Sequence, residues 1–234
     1  MIAILVLTYN NIESTRECIG KLYRHTKSDF KLFILDNNST DGTVEYLSSL
    51  RYDNLKIHLS TENMGIINGR NYIYNFSKED SYDYLCFLDN DQFVEEGWDL
   101  VYVNLMKRYD VIGIEAWQMK SNFQPFRRIK DKSEYFDYVG CGGMMIRRDV
   151  VEEIGLFDTK FNPKYFEDPQ FCFRAIKNGY KVGWCDGKVI EHQKHDLTLS
   201  PKERVFFMRN LRIMQKEWRG FPLPKIKNEG RDNG

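Results

Sequence analysis

The chain has 234 residues, enough for one large domain or one domain with a helical tail. Its 42% hydrophobic and 15% aromatic content excludes wholesale disorder. Lysine and arginine total 34 against 34 acidic residues, so there is no net field to attract nucleic acid, although a local basic patch stays open.

Five cysteines (Cys18, Cys86, Cys141, Cys172 and Cys185) are widely spaced without a CxxC pair. That excludes zinc-ribbon and thioredoxin-like readings and predicts reduced thiols in a reducing, cytoplasmic compartment. The opening Met-Ile-Ala-Ile-Leu-Val-Leu run lacks a basic leader and is too short to span a bilayer. It reads as a buried strand rather than a signal peptide. No other stretch approaches ~20 apolar residues, so no transmembrane span is expected. Peripheral contact is left to the basic, aromatic C-terminal segment.

In chain order, residues 2–7 read as a strand and 12–25 as a helix, with Ile12, Cys18, Ile19, Leu22 and Tyr23 on one side. A second strand at 32–35 leads to Asn37-Asn38-Ser39-Thr40-Asp41-Gly42 and a helix through Leu50, capped by Asp41 or Thr40. Strand 55–59, helix 66–76 and strand 84–88 follow, the last ending in Asp89-Asn90-Asp91. Short strands separated by helices predict βαβ units and a mainly parallel sheet flanked by helices. Beyond Asp91 the pattern loosens: a helix at 98–109, a strand at 111–116, then an irregular loop over 117–135. Short apolar runs at 144–146, 182–184 and 189–190, a helix at 169–178 and a long amphipathic helix at 201–218 complete the reading, before a polar, frayed tail. No linker divides the chain. Residues 1–218 are expected to form one domain, divided into 1–92, 93–195 and a terminal helix (196–218), ahead of the 219–234 tail.

In an open parallel sheet, ligands sit beyond the carboxyl ends of the strands. Thr8-Tyr9-Asn10, Asp36-Asn37-Asn38, the 62–65 segment and Asp89-Asn90-Asp91 all lie there. The first of these turns has no glycine, which excludes a dinucleotide fingerprint, and no GxxxxGK[ST] occurs. Asp89-Asn90-Asp91 straight after an apolar strand offers hard oxygen ligands for Mg²⁺ or Mn²⁺ and a nucleotide diphosphate. Taken alone, an Asp-x-Asp is also compatible with a solvated turn.

An ordered series of motifs narrows the choice. These are Leu7-Thr8-Tyr9-Asn10, Leu35-Asp36-Asn37-Asn38-Ser39-Thr40-Asp41-Gly42-Thr43, Glu62-Asn63-Met64-Gly65 with Gly69-Arg70-Asn71, and Phe87-Leu88-Asp89-Asn90-Asp91. Gly143-Met144-Met145-Ile146, Gly155-Leu156-Phe157-Asp158 and Phe166-Glu167-Asp168 follow. In this order the chain resembles the inverting GT-A-fold glycosyltransferases of family 2, over roughly residues 2–215.

The resemblance implies that Thr8, Tyr9, Asn10 and Asp36 line the base and ribose pocket. It brings Asn63, Gly65 and Arg70 to the nucleotide, and Asp89 and Asn90 to the donor. Asp91 becomes a metal ligand, with Asp89 beside it. His192 completes the metal shell of Mn²⁺ or Mg²⁺, with His195 as the competing histidine. Asp168 is the implied base that takes the acceptor proton, with Glu167 as the alternative; Asp168 also suits a helix N-cap before Pro169. Gly143 and Trp184 are placed on the acceptor side. The implied partners are a nucleotide-diphosphate sugar (UDP-sugar by default) and a glycan, lipid-linked sugar or protein acceptor. A sugar nucleotidyltransferase is disfavoured by the glycine-free first loop. A non-catalytic nucleotide-sugar or glycan-binding module would need no base.

Overall fold

The computed structural model describes residues 1–185, 189–193 and 199–228. Strand β1 (Ile2–Thr8) is buried along its whole length because both faces of the sheet are covered. Its side chains alternate: Ala3, Leu5 and Leu7 enter one core, and Ile2, Ile4 and Val6 the other. The same alternation holds in β2 (Phe30–Asp36) and β4 (Tyr84–Asp89), where Leu85 and Phe87 oppose Cys86 and Leu88.

Parallel pairing links β1 to β2 and β4, and β2 to β3 (Leu55–Leu59). One face carries α1 (Ile12–His25), α2 (Thr43–Ser49) and α4 (Trp98–Leu105), which contribute Cys18, Ile19, Leu22, Leu47, Trp98 and Tyr102. The other is covered by α3 (Gly65–Ser77) and α6 (Glu167–Lys177). The sheet extends through β10 (Met144–Arg147), β6 (Val111–Gly113) and β11 (Val182–Trp184), giving the order β11-β6-β10-β4-β1-β2-β3. Only β10 runs antiparallel to its neighbours, so the sheet is mainly parallel as expected.

Five features differ from the sequence reading. Residues 117–135 are not an irregular loop: β7 (Ala116–Met119) pairs antiparallel with β8 (Pro125–Arg128) and with β9 (Tyr138–Val139). These strands are too short, and β8 too exposed, to print an alternating pattern. A second pair joins β5 (Gln92–Val94) to β12 (Ile190–His192), and α5 (Arg148–Ile154) follows β10 directly.

Helix α6 begins at Glu167, with Phe166 as its N-cap residue, so Asp168 lies inside the first turn and is not the cap. The segment after α7 (Pro201–Glu217) is not frayed as far as Asn228. Phe136 and Ile226 exchange backbone hydrogen bonds of 2.9 and 2.7 Å, and the Asn228 amide pairs with both backbone groups of Trp184.

Candidate active site

The carboxyl ends of β1, β2 and β4 meet α3, α6 and the small β7–β8–β9 sheet around a cavity of about 850 Å³. Tyr9, Asn63, Gly65, Arg70, Asp89, Asn90, Asp91, Glu167, Asp168 and His192 all line it.

Thr8, Asn10 and Asp36 are absent from that lining and stand behind it. Thr8 is fully buried, its Oγ1 3.1 Å from that of Thr15. Asp36 is fully buried too; its Oδ2 accepts from the Ser39 N–H at 2.9 Å while Oδ1 has no hydrogen-bond partner. The Asn10 side chain accepts from the Thr40 N–H. Asn90, the middle residue of the acidic turn, donates at 2.9 Å to the Asn10 carbonyl and to Thr15 Oγ1, pinning the first and fourth loops together.

Gly143 and Trp184, which the resemblance placed on the acceptor side, do not line the cavity. Gly143 has φ +75°, and a Cβ there would lie 2.9 Å from Ile114, so it serves a tight turn into β10. Trp184 is buried, donating from Nε1 to the Ile114 carbonyl at 2.9 Å. Gly140, Cys141 and Gly142 line the cavity in their place. A Cβ on Gly142 would sit 2.8 Å from both Asp89 Oδ2 and Gln92 Nε2, so only glycine lets this loop close on the acidic turn.

Long-range pairing brings Asp89, Asp91 and His192 together. The β5–β12 register sets His192 opposite Gln92, and the Gln193 N–H donates to the Asp91 carbonyl at 3.1 Å. Asp89, Asp91 and His192 each offer a ligand atom, and these atoms lie within 4.8 Å of one another. Two carboxylates and one imidazole at that separation fit Mn²⁺ or Mg²⁺, with the imidazole favouring Mn²⁺. His192 Nε2 is 3.5 Å from Asp91 Oδ1, and Nδ1 is 3.9 Å from Glu115 Oε1. Hydrogen bonding to Asp91, then to Glu115, pushes the imidazolium up to about 10. His195 lies outside the described residues.

The second acidic pair faces the same cavity. Tyr165 and Phe166 both adopt left-handed backbone, φ 77° and 72°, and turn the chain so that α6 opens with Glu167 and Asp168. Such conformations cost of order 1–3 kcal/mol each and persist where the surroundings hold them. Here the hold comes from α7. Buried Asn210 donates from Nδ2 to the carbonyls of Phe161, Lys164 and Tyr165 at 2.6, 2.8 and 3.0 Å, and Arg209 donates to the Asn162 carbonyl.

Arg70 joins the two acidic groups. Its guanidinium donates to Asp89 Oδ1 at 2.7 Å and lies 3.4 Å from Glu167 Oε1, with the side chain 6% exposed. The resemblance brought Arg70 to the nucleotide; its observed partners are carboxylates. Burial, then the Asp168 charge, raise Glu167 well above the ordinary carboxylate range. Burial also raises Asp168, opposed by Arg70 and by a hydrogen bond from the Cys141 backbone.

Sequence reasoning missed Glu115, Gln92 and Asn37. Gln92 accepts the Asp89 N–H at 3.0 Å. Asn37 accepts from the Met64 N–H at 2.8 Å and donates to Asn63 at 3.0 Å, holding the entry to α3. The signal available for Gln92 and Asn37 was adjacency to a singled-out aspartate; for Glu115 it was a lone carboxylate straight after β6. The cavity's remaining wall is aromatic and apolar, built from Trp117, Tyr138, Tyr165, Phe166 and Phe207.

A family model described as Glycosyl transferase family 2 matches residues 3–155. The chain belongs to this family. Glycosyltransferase AglE of Haloferax volcanii is 29% identical over 200 residues, covering 77% of this chain and 63% of AglE. The chain thus spans less than two thirds of that relative's length. Among solved structures, S. aureus TarS 1–349 in complex with UDP-GlcNAc aligns with a TM-score of 0.62 at 17% identity, over 91% of this chain and 65% of that one. GalNAc-T7 with UDP, GalNAc and Mn²⁺ aligns with a TM-score of 0.68 at 13% identity, over 82% and 43%. At these identities the likeness is one of fold, the GT-A arrangement of a mainly parallel sheet between helices.

Proposed function

We propose that this family 2 chain is a metal-dependent, inverting glycosyltransferase moving one sugar from a nucleotide-diphosphate donor, UDP-sugar first, to a hydroxyl acceptor. The observation carrying this reading is that one cavity holds both the Asp89–Asp91–His192 group and the Glu167–Asp168 pair, with Arg70 between them. The UDP-GlcNAc in the TarS complex and the UDP and Mn²⁺ in the GalNAc-T7 complex support the choice of nucleotide and metal. Five buried cysteines without a CxxC pair support a reducing, cytoplasmic compartment. Among the described residues no helix is long and apolar enough to cross a membrane.

Asp91, His192 and Asp89 would hold the Mn²⁺ or Mg²⁺, which when bound supplies positive charge to the departing diphosphate. Tyr9, Asn63, Gly65 and the loop pinned by Asn90 border the nucleotide side. Asp168 is the base. The acceptor oxygen attacks the anomeric carbon as the bond to the diphosphate breaks, and Asp168 takes the acceptor proton. Burial and the neighbouring Asp168 charge raise Glu167, and burial raises Asp168 against the opposing charge of Arg70. The acceptor is a glycan, lipid-linked sugar or protein entering along the aromatic wall. Residues 1–92 supply the donor half and 93–195 the acceptor half of one domain, closed by α7.

Calorimetric titration of UDP, GDP, dTDP and CDP with and without Mn²⁺ tests the donor site. UDP is expected to bind with Mn²⁺ present, and Asp91→Asn to abolish the metal-dependent part. Binding that is equal with and without metal, in both proteins, rejects the metal-dependent reading.

A further inference from the structure

Helix α7 is packed by one face and free on the other. Asn210, Leu211 and Met214 are its buried residues, and Trp218 at its C-cap is buried beside them. On the opposite side, Lys202, Val205, Arg209, Arg212 and Lys216 recur in steps of three and four residues, which places them along one line of the helix. All five are exposed. Val205 shows 66% of its surface and the adjacent Met208 43%, the largest apolar exposures on this helix.

The charge on this helix is one-sided. Its two acids turn toward the body of the protein: Glu203 pairs with Lys164, and Glu217 with Lys160. Among the described residues, Lys202, Arg204, Arg212 and Lys216 have no carboxylate partner. Arg209 donates only to neutral groups, the Asn210 side chain and the Asn162 carbonyl. A chain with balanced charge overall therefore presents one uncompensated cationic stripe with aliphatic side chains set within it.

We propose that this outer face of α7 docks on an anionic lipid surface. Charge complementarity selects an anionic partner: each lysine or arginine near such a surface strengthens partitioning on the order of fivefold. The exposed Val205 and Met208 select lipid over nucleic acid, since aliphatic side chains gain by entering the headgroup boundary and have no counterpart on a phosphate backbone. A second copy of the same stripe is repelled by like charge. The opposite side of α7 reaches the cavity, where Phe207 lines the wall and Glu203 pairs with Lys164 beside it. A docked α7 therefore holds the cavity at the membrane surface, which places it within reach of an acceptor anchored there.

The test is flotation of the protein with phosphatidylcholine vesicles, with and without phosphatidylglycerol, and needs no nucleotide; it is independent of the donor-site reading. The protein is expected to float only with phosphatidylglycerol present, and to be released by salt on the scale of the Debye length. The pair Arg212→Glu/Lys216→Glu is expected to lower partitioning by more than an order of magnitude. Val205→Ser is expected to weaken it severalfold while leaving the salt response intact. Circular dichroism melts confirm that these surface variants stay folded. The proposal is overturned if the protein fails to float with phosphatidylglycerol, or if the double variant floats as well as the parent. It is also overturned if Val205→Ser changes nothing and duplex DNA binds the stripe as strongly as the vesicles do.

Discussion

Arg70 is the cation on which both acidic groups depend, and Arg70→Met removes its charge while keeping much of its apolar stem. The substitution strands Glu167, whose side chain is 6% exposed, and deprives Asp89, at 31%, of its 2.7 Å partner. Breaking a buried ion pair by deleting one member costs about 3–5 kcal/mol. Asp89 recovers part of its solvation from water, so the lower end, about 3 kcal/mol, is expected. In a domain of this size each kcal/mol lowers Tm by about 2–4 °C, giving a loss of roughly 6–12 °C near neutral pH.

The pH dependence has a definite sign. Arg70 opposes the upward shifts of Glu167 and Asp168, so its loss raises both further above their unfolded values near 4. A carboxylate with a raised folded pKa weakens the fold at pH above that pKa. The penalty shrinks as pH falls toward the unfolded value. Calorimetric melts at about pH 8 and about pH 5 should therefore show a larger Tm deficit at the higher pH. Adding Glu167→Gln to Arg70→Met should recover part of the deficit at the higher pH. An equal deficit at both pH values, or none at either, would refute Arg70 as the counter-charge of this site.

Asp168→Asn is expected to lower kcat by about 10²–10⁴-fold while leaving Mn²⁺-dependent UDP binding intact by calorimetry; equal loss of both would remove it as the base. Asn210→Ala strips three carbonyls of their donor and should cost about 1–3 kcal/mol in chemical denaturation. It should also slow transfer without weakening the donor complex, because the loop it holds carries Glu167 and Asp168. Asp80, 8% exposed, accepts from Lys31 and Lys56 at 2.5 and 2.6 Å, and its pKa is lowered against the opposing effect of burial. Its contribution is present above the unfolded pKa of about 3.9 and fades as pH falls through the lower folded value. Because both lysines are substantially exposed, Asp80→Asn should cost only about 1 kcal/mol near pH 7, and less near pH 3, in urea titrations. Gly183→Ala places a Cβ 2.5 Å from the Tyr109 ring and should destabilise by about 1–3 kcal/mol, read as a lower Tm; an unchanged Tm would mean that β11 shifts freely.

Local pattern made the first half of the chain legible. The runs at 2–7, 55–59 and 84–88 and the helix at 12–25 are long enough for periodicity to declare itself, and parallel topology sends their carboxyl ends to one edge. Asp89, Asp91, Arg70, Glu167 and Asp168 could therefore be singled out from strand ends and motif order, and one cavity contains them all. The partners of those side chains were not legible, because non-local pairing chooses them. Arg70 meets Glu167 across 97 positions of sequence, His192 reaches Asp91 through the β5–β12 register, and Asn210 holds the turn ahead of α6 from another helix.

Gly143 and Trp184 show the converse. Residue types suited to an acceptor site were turned away from the cavity by packing against Ile114, a contact that no periodicity encodes. Sequence alone determined the class of sheet and the chemical inventory at its edge, since both follow from short-range pattern and chain direction. Tertiary structure decided which carboxylates share a cation, that His192 approaches the acidic turn, and which face of α7 stays exposed. Those outcomes depend on burial and on contacts between segments far apart in the chain.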